Sequence, residues 1–308
     1  MCCLFGFLDY GHKLTRKQRS RLLSALSTTC EERGTDATGI AYNFGGKLHI
    51  FKRPVPAHLM WYRVPGEAAA VMGHTRMTTQ GSEKRNQNNH PFPGFTGDNR
   101  FALAHNGVLF NDKTLRKQYK LPVTNVETDS YIAVQLLEQY GKVDFDSLRF
   151  MAEELEGSFT ITALTDRDEL YFVKGNNPLT IHHYPQYGLY VYASTEEILM
   201  KGIRNSGLRV GKKEPVRIYT GDILRIDAHG KISRSGFNDE KLYFGYGSHW
   251  FDWPRYESPS RHYALTEDAY IRDLKAVASC YGVYPEDIDA LLADGVSLEE
   301  IEEYLYCG

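Results

Sequence analysis

The opening residues constrain the fold more than any other stretch. Cys3–Leu8 is a short apolar run without polar interruption, closed by Asp9 and Gly11, and a run of this length reads as a buried strand. Thr15 then caps a helix expected to run from about Arg16 to Glu32, with Leu22, Leu23, Leu26 and Cys30 as its apolar stripe. Gly39–Asn43 and Lys47–Arg53 meet across Gly45-Gly46 and read as a hairpin, because two glycines supply the positive φ of a tight turn. Ala68–His74 is another strand. The stretch from Thr78 to Arg100 is rich in Asn, Gly and Pro and is expected to be a loop acting as a lid. Phe101–His105 and the residues around Val108–Phe110 are extended, and Thr128–Tyr140 is helical, with Ile132, Leu136 and Leu137 on its apolar side. Short strands follow over Ser158–Thr165, Glu169–Lys174, Leu179–His183 and Leu189–Ala193. A helix over Glu196–Ile203 leads to strands at Val216–Tyr219 and Ile223–Ile226. The pattern is α+β, and propensity leaves open which α+β arrangement it builds.

The chain has 308 residues, 42% hydrophobic and 24% charged, with material for a sizeable core. A net charge of −3 offers no general attraction for nucleic acid. No apolar run approaches the ~20 residues that span a bilayer, and the N-terminus lacks the basic start of a signal peptide, so a cytoplasmic protein is expected. Cys2, Cys3, Cys30, Cys280 and Cys307 are odd in number and irregular in spacing, which argues for free thiols rather than a disulfide framework. No Cys/His cluster has zinc-ligand spacing, so no metal and no cofactor are expected. The chain divides into a main domain at 2–235, an aromatic linker at 236–263 and a small acidic helical region at 264–308. In the last of these, eleven Asp and Glu stand against two Lys and Arg, a local charge of −9 within the total of −3. Its three short helices, Glu267–Tyr281, Glu286–Ala293 and Ser297–Tyr306, carry enough apolar residues for a mini-core.

The chemistry centres on Cys2. Once Met1 is removed, a cysteine in this position holds its own base, an α-amino group with pKa ~8, beside its thiol. Nucleophile and proton acceptor then lie in one residue. Taken singly, the other notable residues have plainer readings. Asn106-Gly107 between extended segments reads as a type I′ hairpin turn, and Arg76 as a surface ion-pair partner. His74, His90 and His105 read as satisfied loop or strand histidines without a proton-transfer role.

Taken together, the motifs point further. Cys2 is followed by Arg33-Gly34-Thr35-Asp36-Ala37-Thr38-Gly39 and by Gly73-His74-Thr75-Arg76-Met77-Thr78-Thr79-Gln80-Gly81. Asn89-His90-Pro91, His105-Asn106-Gly107 and Glu127-Thr128-Asp129 come next in order. From Cys2 to about Asp227 the chain resembles the class II glutamine amidotransferases. That resemblance implies the N-terminal-nucleophile sandwich: four layers, αββα, with two antiparallel sheets inside, here with a small C-terminal helical appendage. It implies that Cys2 attacks the side-chain amide of glutamine, with Asn106 (side-chain amide) and Gly107 (backbone N–H) as the oxyanion hole. Arg76 would bind the substrate α-carboxylate and Asp129 its α-ammonium, groups whose charges are complementary. Thr79 and the loop to Gly81 would line the pocket, with Arg33, Gln80 and His90 in support. Cys3, Gln80 and Met77 depart from the family's usual Gly, His and aromatic residue, which leaves another γ-glutamyl amide as an alternative substrate. The implied partner is a separate synthase that receives the ammonia, docked through the acidic C-terminal region. A stand-alone amidase and an inactive binding or regulatory protein are the competing readings.

Overall fold

The computed structural model describes residues 2–97, 99–242 and 284–294, together with 271, 275, 296, 298 and 301. It contains two compact units, 1–243 and 244–308. In the first, β1 (Cys3–Asp9) is buried along its whole length, as its unbroken apolar run requires. It sits at the centre of a seven-stranded sheet. The other strands of that sheet are β2 (Ala37–Phe44), β3 (Lys47–Arg53), β4 (Ala70–Arg76), β9 (Thr180–Tyr184), β10 (Leu189–Ala193) and β11 (Glu214–Val216). Their order is β11-β9-β10-β1-β4-β2-β3, antiparallel throughout.

A second antiparallel sheet has six strands: β5 (Phe92–Thr96), β6 (Asn99–Leu109), β7 (Gly157–Thr165), β8 (Leu170–Lys174), β12 (Asp222–Ile226) and β13 (Ile232–Gly236). Its order is β13-β12-β8-β7-β6-β5. The two sheets face each other across a core in which Leu4, Leu8, Ala70 and Met72 meet Ala102, Ala104, Phe172 and Leu224. The alternate β1 residues Cys3, Phe5 and Phe7 point outward and meet α1 (Arg16–Thr29) and α5 (Glu196–Ser206) through Leu22, Leu26, Ile198 and Leu199. On the far side, α3 (Tyr131–Tyr140) and α4 (Phe145–Glu154) cover the second sheet through Ile132, Leu136, Leu148 and Met151. The layers are therefore αββα.

Local chemistry explains the ends. The Thr15 side chain accepts from Gln18 N, and Gln18 Oε1 accepts from Thr15 N at 2.9 Å, a reciprocal cap on α1 worth ~1 kcal/mol. At the other end of β1, Asp9 is fully buried. It accepts from Lys13 N, Leu14 N and the Arg19 guanidinium, which approaches to 2.7 Å.

Three expectations change. The stretch 78–100 is not loop throughout, because Phe92–Thr96 forms the edge strand β5, a place where Pro93 is tolerated. Asn88, Asn89 and His90 before it are buried. The extended segments on either side of Asn106-Gly107 are one continuous strand, β6, with Gly107 opposite Phe159. The hairpin-turn reading of that dipeptide is therefore wrong. The strand expected at Val216–Tyr219 lies earlier, at Glu214–Val216. The helix α2 (Asp112–Gln118), α4 and β13 are additional.

The first unit reaches beyond residue 235, with Phe237 and Leu242 packed in its outer core. In the second unit, α6 (Pro285–Ala293) starts at a Pro, capped through Asp287, and Ile288 buries against Ile301. The helices expected at 267–281 and 297–306 lie largely outside the described residues. Among the described residues no helix is long and apolar enough to cross a membrane.

Candidate active site

The site forms where β1 begins and β4 ends. Cys3 lies opposite Thr75, and Ala37 of β2 opposite Arg76, so the register brings Cys2 beside the chain that leaves β4. Cys2 is half-buried, and its Sγ lies 3.5 Å from both the Met77 amide nitrogen and the Met77 carbonyl oxygen. Arg33 Nε donates to the Cys2 carbonyl at 3.1 Å and fixes the backbone of that residue. Burial pushes the Cys2 thiol pKa up. The Met77 backbone contact and the Arg76 charge oppose the shift, while Asp129 adds to it. The burial of Cys2 thus favours its thiol form over the thiolate.

Arg76 organises the loop that follows it. Its NH1 donates to Asn89 Oδ1 at 2.7 Å, and its NH2 to the carbonyls of Gln80 at 2.6 Å and Gly81 at 3.2 Å. The loop is held from a second side by Asp36, whose Oδ2 accepts from Thr78 N at 2.7 Å and whose own N–H donates to Arg76 O. Gly34 permits this closeness, since a Cβ there would stand 2.6 Å from Arg76 C. Gln80 Nε2 reaches the Glu127 carbonyl at 3.0 Å, tying the loop to the segment that carries Asp129. Thr79 stands exposed on the loop.

The facing sheet supplies Asn106 and Gly107. His74 Nε2 donates to the His105 carbonyl at 3.0 Å, a bond from β4 to β6 that pins the two sheets together at this level. Gly107 has φ +143, and a Cβ on it would fall 1.9 Å from Ser158 O, so only glycine fits. Asn106 is buried, and its Nδ2 finds no hydrogen-bond partner among the described residues. Asp129, also buried, accepts from Leu109 N at 2.6 Å and from Ser130 Oγ at 3.3 Å. Ser130 Oγ in turn lies 2.7 Å from His105 Nδ1. One connected set of contacts, His74–His105–Ser130–Asp129, thereby spans both sheets.

Burial holds His74 neutral, its pKa lowered to about 3. His90 is pushed well below the ordinary range by burial and then by the charges of His74 and His105, and His105 is lowered by burial. The His90 ring is sandwiched between His74 and Phe92, with centroids 4.2 and 4.3 Å away. Its peptide bond to Pro91 is cis.

Apart from Asn106 and Gly107 on the facing sheet, the expected residues around Cys2 fall into two groups. Arg33 touches the Cys2 backbone, and both Arg76 and Asp129 act on the Cys2 thiol electrostatically. Gln80, His90 and Thr79 touch Cys2 through no contact in this geometry; Gln80 and His90 instead help to frame the surrounding loop and sheet contacts. Sequence reasoning gave no role to Asn89, Ser130 or Asn177. The Nδ2 of Asn177 is buried without a partner among the described residues and lies 2.8 Å from where a Gly107 Cβ would be. Its only sequence signal is an Asn-Asn pair before Pro178, which reads as a turn.

The family model described as the glutamine amidotransferase domain matches residues 60–213, half of the chain. The chain belongs to the class II glutamine amidotransferases. Among its relatives, a glutamine–fructose-6-phosphate aminotransferase (isomerizing) from Geobacillus kaustophilus is 32% identical over 189 residues, which cover 59% of this amidotransferase chain and 30% of the relative. One from Halalkalibacterium halodurans is 31% identical over 249 residues, covering 78% and 40%. The amidotransferase chain thus spans well under half the length of these relatives. Among solved structures, the glutamine phosphoribosylpyrophosphate amidotransferase from B. subtilis has the same fold, with a TM-score of 0.61 at 20% identity over 79% of this chain and 51% of that one.

Proposed function

We propose that this amidotransferase cleaves the side-chain amide of glutamine with Cys2, through a γ-glutamyl thioester, and passes the ammonia to an acceptor held by a separate partner. The observation that carries the reading is Asn106 Nδ2. Burying a donor without an acceptor costs ~1–3 kcal/mol, and the unpartnered Nδ2 is free to meet an acceptor that the substrate brings. Here that acceptor is the oxyanion of a tetrahedral intermediate. Gly107 N–H is the second donor, from a backbone only glycine adopts.

With Met1 removed, the α-amine of Cys2 takes the thiol proton and Sγ attacks the amide carbon. The amine returns that proton to the leaving nitrogen, the C–N bond breaks, and ammonia departs. Water, deprotonated by the same amine, then attacks the thioester carbon and releases glutamate and the Cys2 thiol. Arg76 binds the substrate α-carboxylate with the N–H groups its three carbonyl contacts leave over, and Asp129 binds the α-ammonium. Thr79 lines the pocket, while Arg33, Gln80 and His90 hold its walls.

The test uses full-length protein whose N-terminus is verified as Cys2. It is expected to release glutamate and ammonia from glutamine and to take up one equivalent of a glutamine-like diazoketone, with the adduct on Cys2 and absent from Cys2→Ala. Protein that yields neither product removes glutamine as the substrate, and release from another γ-glutamyl amide alone would replace it. A synthase recovered by the full chain but not by residues 1–263 would place the partner on the acidic region.

A further inference from the structure

The residue after the nucleophile has a chemistry of its own. The Cys3 side chain leaves β1 on the outer face, away from the pocket, and meets Cys30 at the C-terminal cap of α1. The two sulfurs lie 2.9 Å apart, and both residues are fully buried. A disulfide needs sulfurs at ~2.05 Å, so less than an ångström separates this contact from a bond. Both partners are fixed from their own sides. Thr75 Oγ1 donates to the Cys30 carbonyl at 3.0 Å, and Ser194 Oγ accepts from Leu4 N at 2.9 Å beside Cys3.

We propose that Cys3 and Cys30 form a dithiol modification site, converted by hydrogen peroxide or another two-electron oxidant into an intramolecular disulfide next to the nucleophile. The inference stands apart from the role of Cys2, whose sulfur is held at Met77 instead. In the first step the Cys3 thiolate attacks a peroxide oxygen, the O–O bond breaks, and water leaves with Cys3 as the sulfenic acid. In the second, Cys30 sulfur attacks the Cys3 sulfur, the S–O bond breaks, and a second water leaves. Two thiols and one peroxide give one disulfide and two waters. Burial raises the Cys3 thiol, but the Cys30 and Ser194 contacts and the Arg33 charge outweigh it and leave the pKa lowered, while burial and Cys3 itself hold Cys30 well above the ordinary range. Full burial makes the first step slow, and it precludes large adducts such as glutathione.

The experiment treats reduced full-length protein with hydrogen peroxide, quenches it, denatures and alkylates it, and maps the peptides without reduction. A cross-linked pair of peptides bearing Cys3 and Cys30, two hydrogens lighter than the sum and dissolved by dithiothreitol, is the expected result. Closing a loop of this size without distortion is also expected to raise Tm by roughly 5–10 °C. Cys3 and Cys30 both alkylated, or joined to other cysteines, would overturn the proposal, and so would a fall in Tm on cross-linking. The cross-link is expected to persist in Cys2→Ser and to vanish in Cys30→Ser. Should Cys30→Ser fail to fold, the wild-type map alone decides.

Discussion

At the scale of one residue, the oxyanion role proposed for Asn106 can be told apart from a structural one. A buried side chain kept for stability carries hydrogen bonds whose loss is felt on truncation, whereas Asn106 Nδ2 has no partner among the described residues. Asn106→Ala is therefore expected to leave the free energy of unfolding in urea within ~1 kcal/mol of wild type while lowering kcat by ~10²–10³-fold, the usual cost of one oxyanion donor. KM should change far less. A variant that unfolds early and keeps its rate per folded molecule would refute the oxyanion assignment. The legibility of this residue was uneven. Asn-Gly is a strong local turn signal, and that signal misled, because Gly107 adopts φ +143 inside a strand instead of the αL geometry of a type I′ turn. Cys2, Arg76 and Asp129 stand out in the sequence only as parts of an ordered set of motifs. Ser130 and Asn177 were invisible, since a Ser at a helix start and an Asn before Pro have ordinary local explanations.

Elements with a strong period or strong punctuation were the readable ones. The apolar run of β1, the Thr15 cap and leucine stripe of α1, and the Gly45-Gly46 hairpin of β2 and β3 all appear where the sequence places them. β5 was hidden by Pro93 and Gly94, tolerable only because it is an edge strand. α4 was passed over, although its Asp144–Ser147 cap was there to be read. What no propensity shows is how β1 is locked to α1, and that rests on Asp9 and Arg19, 2.7 Å apart and almost without exposure. Arg19→Met preserves length and apolar contact but strands the Asp9 carboxylate. It is expected to cost ~3–5 kcal/mol, seen as a lower urea midpoint with unchanged slope. A loss below ~1 kcal/mol would mean that the Lys13 and Leu14 amides suffice to hold the charge.

The layering of the whole molecule was the least legible feature from periodicity, because β1, β4 and β10 are buried on both faces and their patterns cannot say which strands flank them. Only the motif resemblance supplied two stacked sheets. The clamp between those sheets makes stability depend on pH. His74 bonds across from β4 to β6, and His90 and His105 pack beside it, all three buried and held neutral. In the unfolded chain such imidazoles take up protons near pH 6.5, whereas His74 in the fold refuses its proton down to about 3. Stability is therefore full above neutrality and falls as pH drops through the unfolded value. His74 alone contributes a loss of about 1.4 kcal/mol between pH 7.5 and 5.5, with His90 and His105 acting in the same sense. That window lies above the carboxylate range, so Asp and Glu contribute little to it. Urea midpoints at the two pH values should diverge in wild type and converge in part in His74→Gln, whose amide can still donate to the His105 carbonyl. Equal divergence in both proteins would show that His74 ionises freely in the folded state and that the sheets are not clamped through a neutral ring.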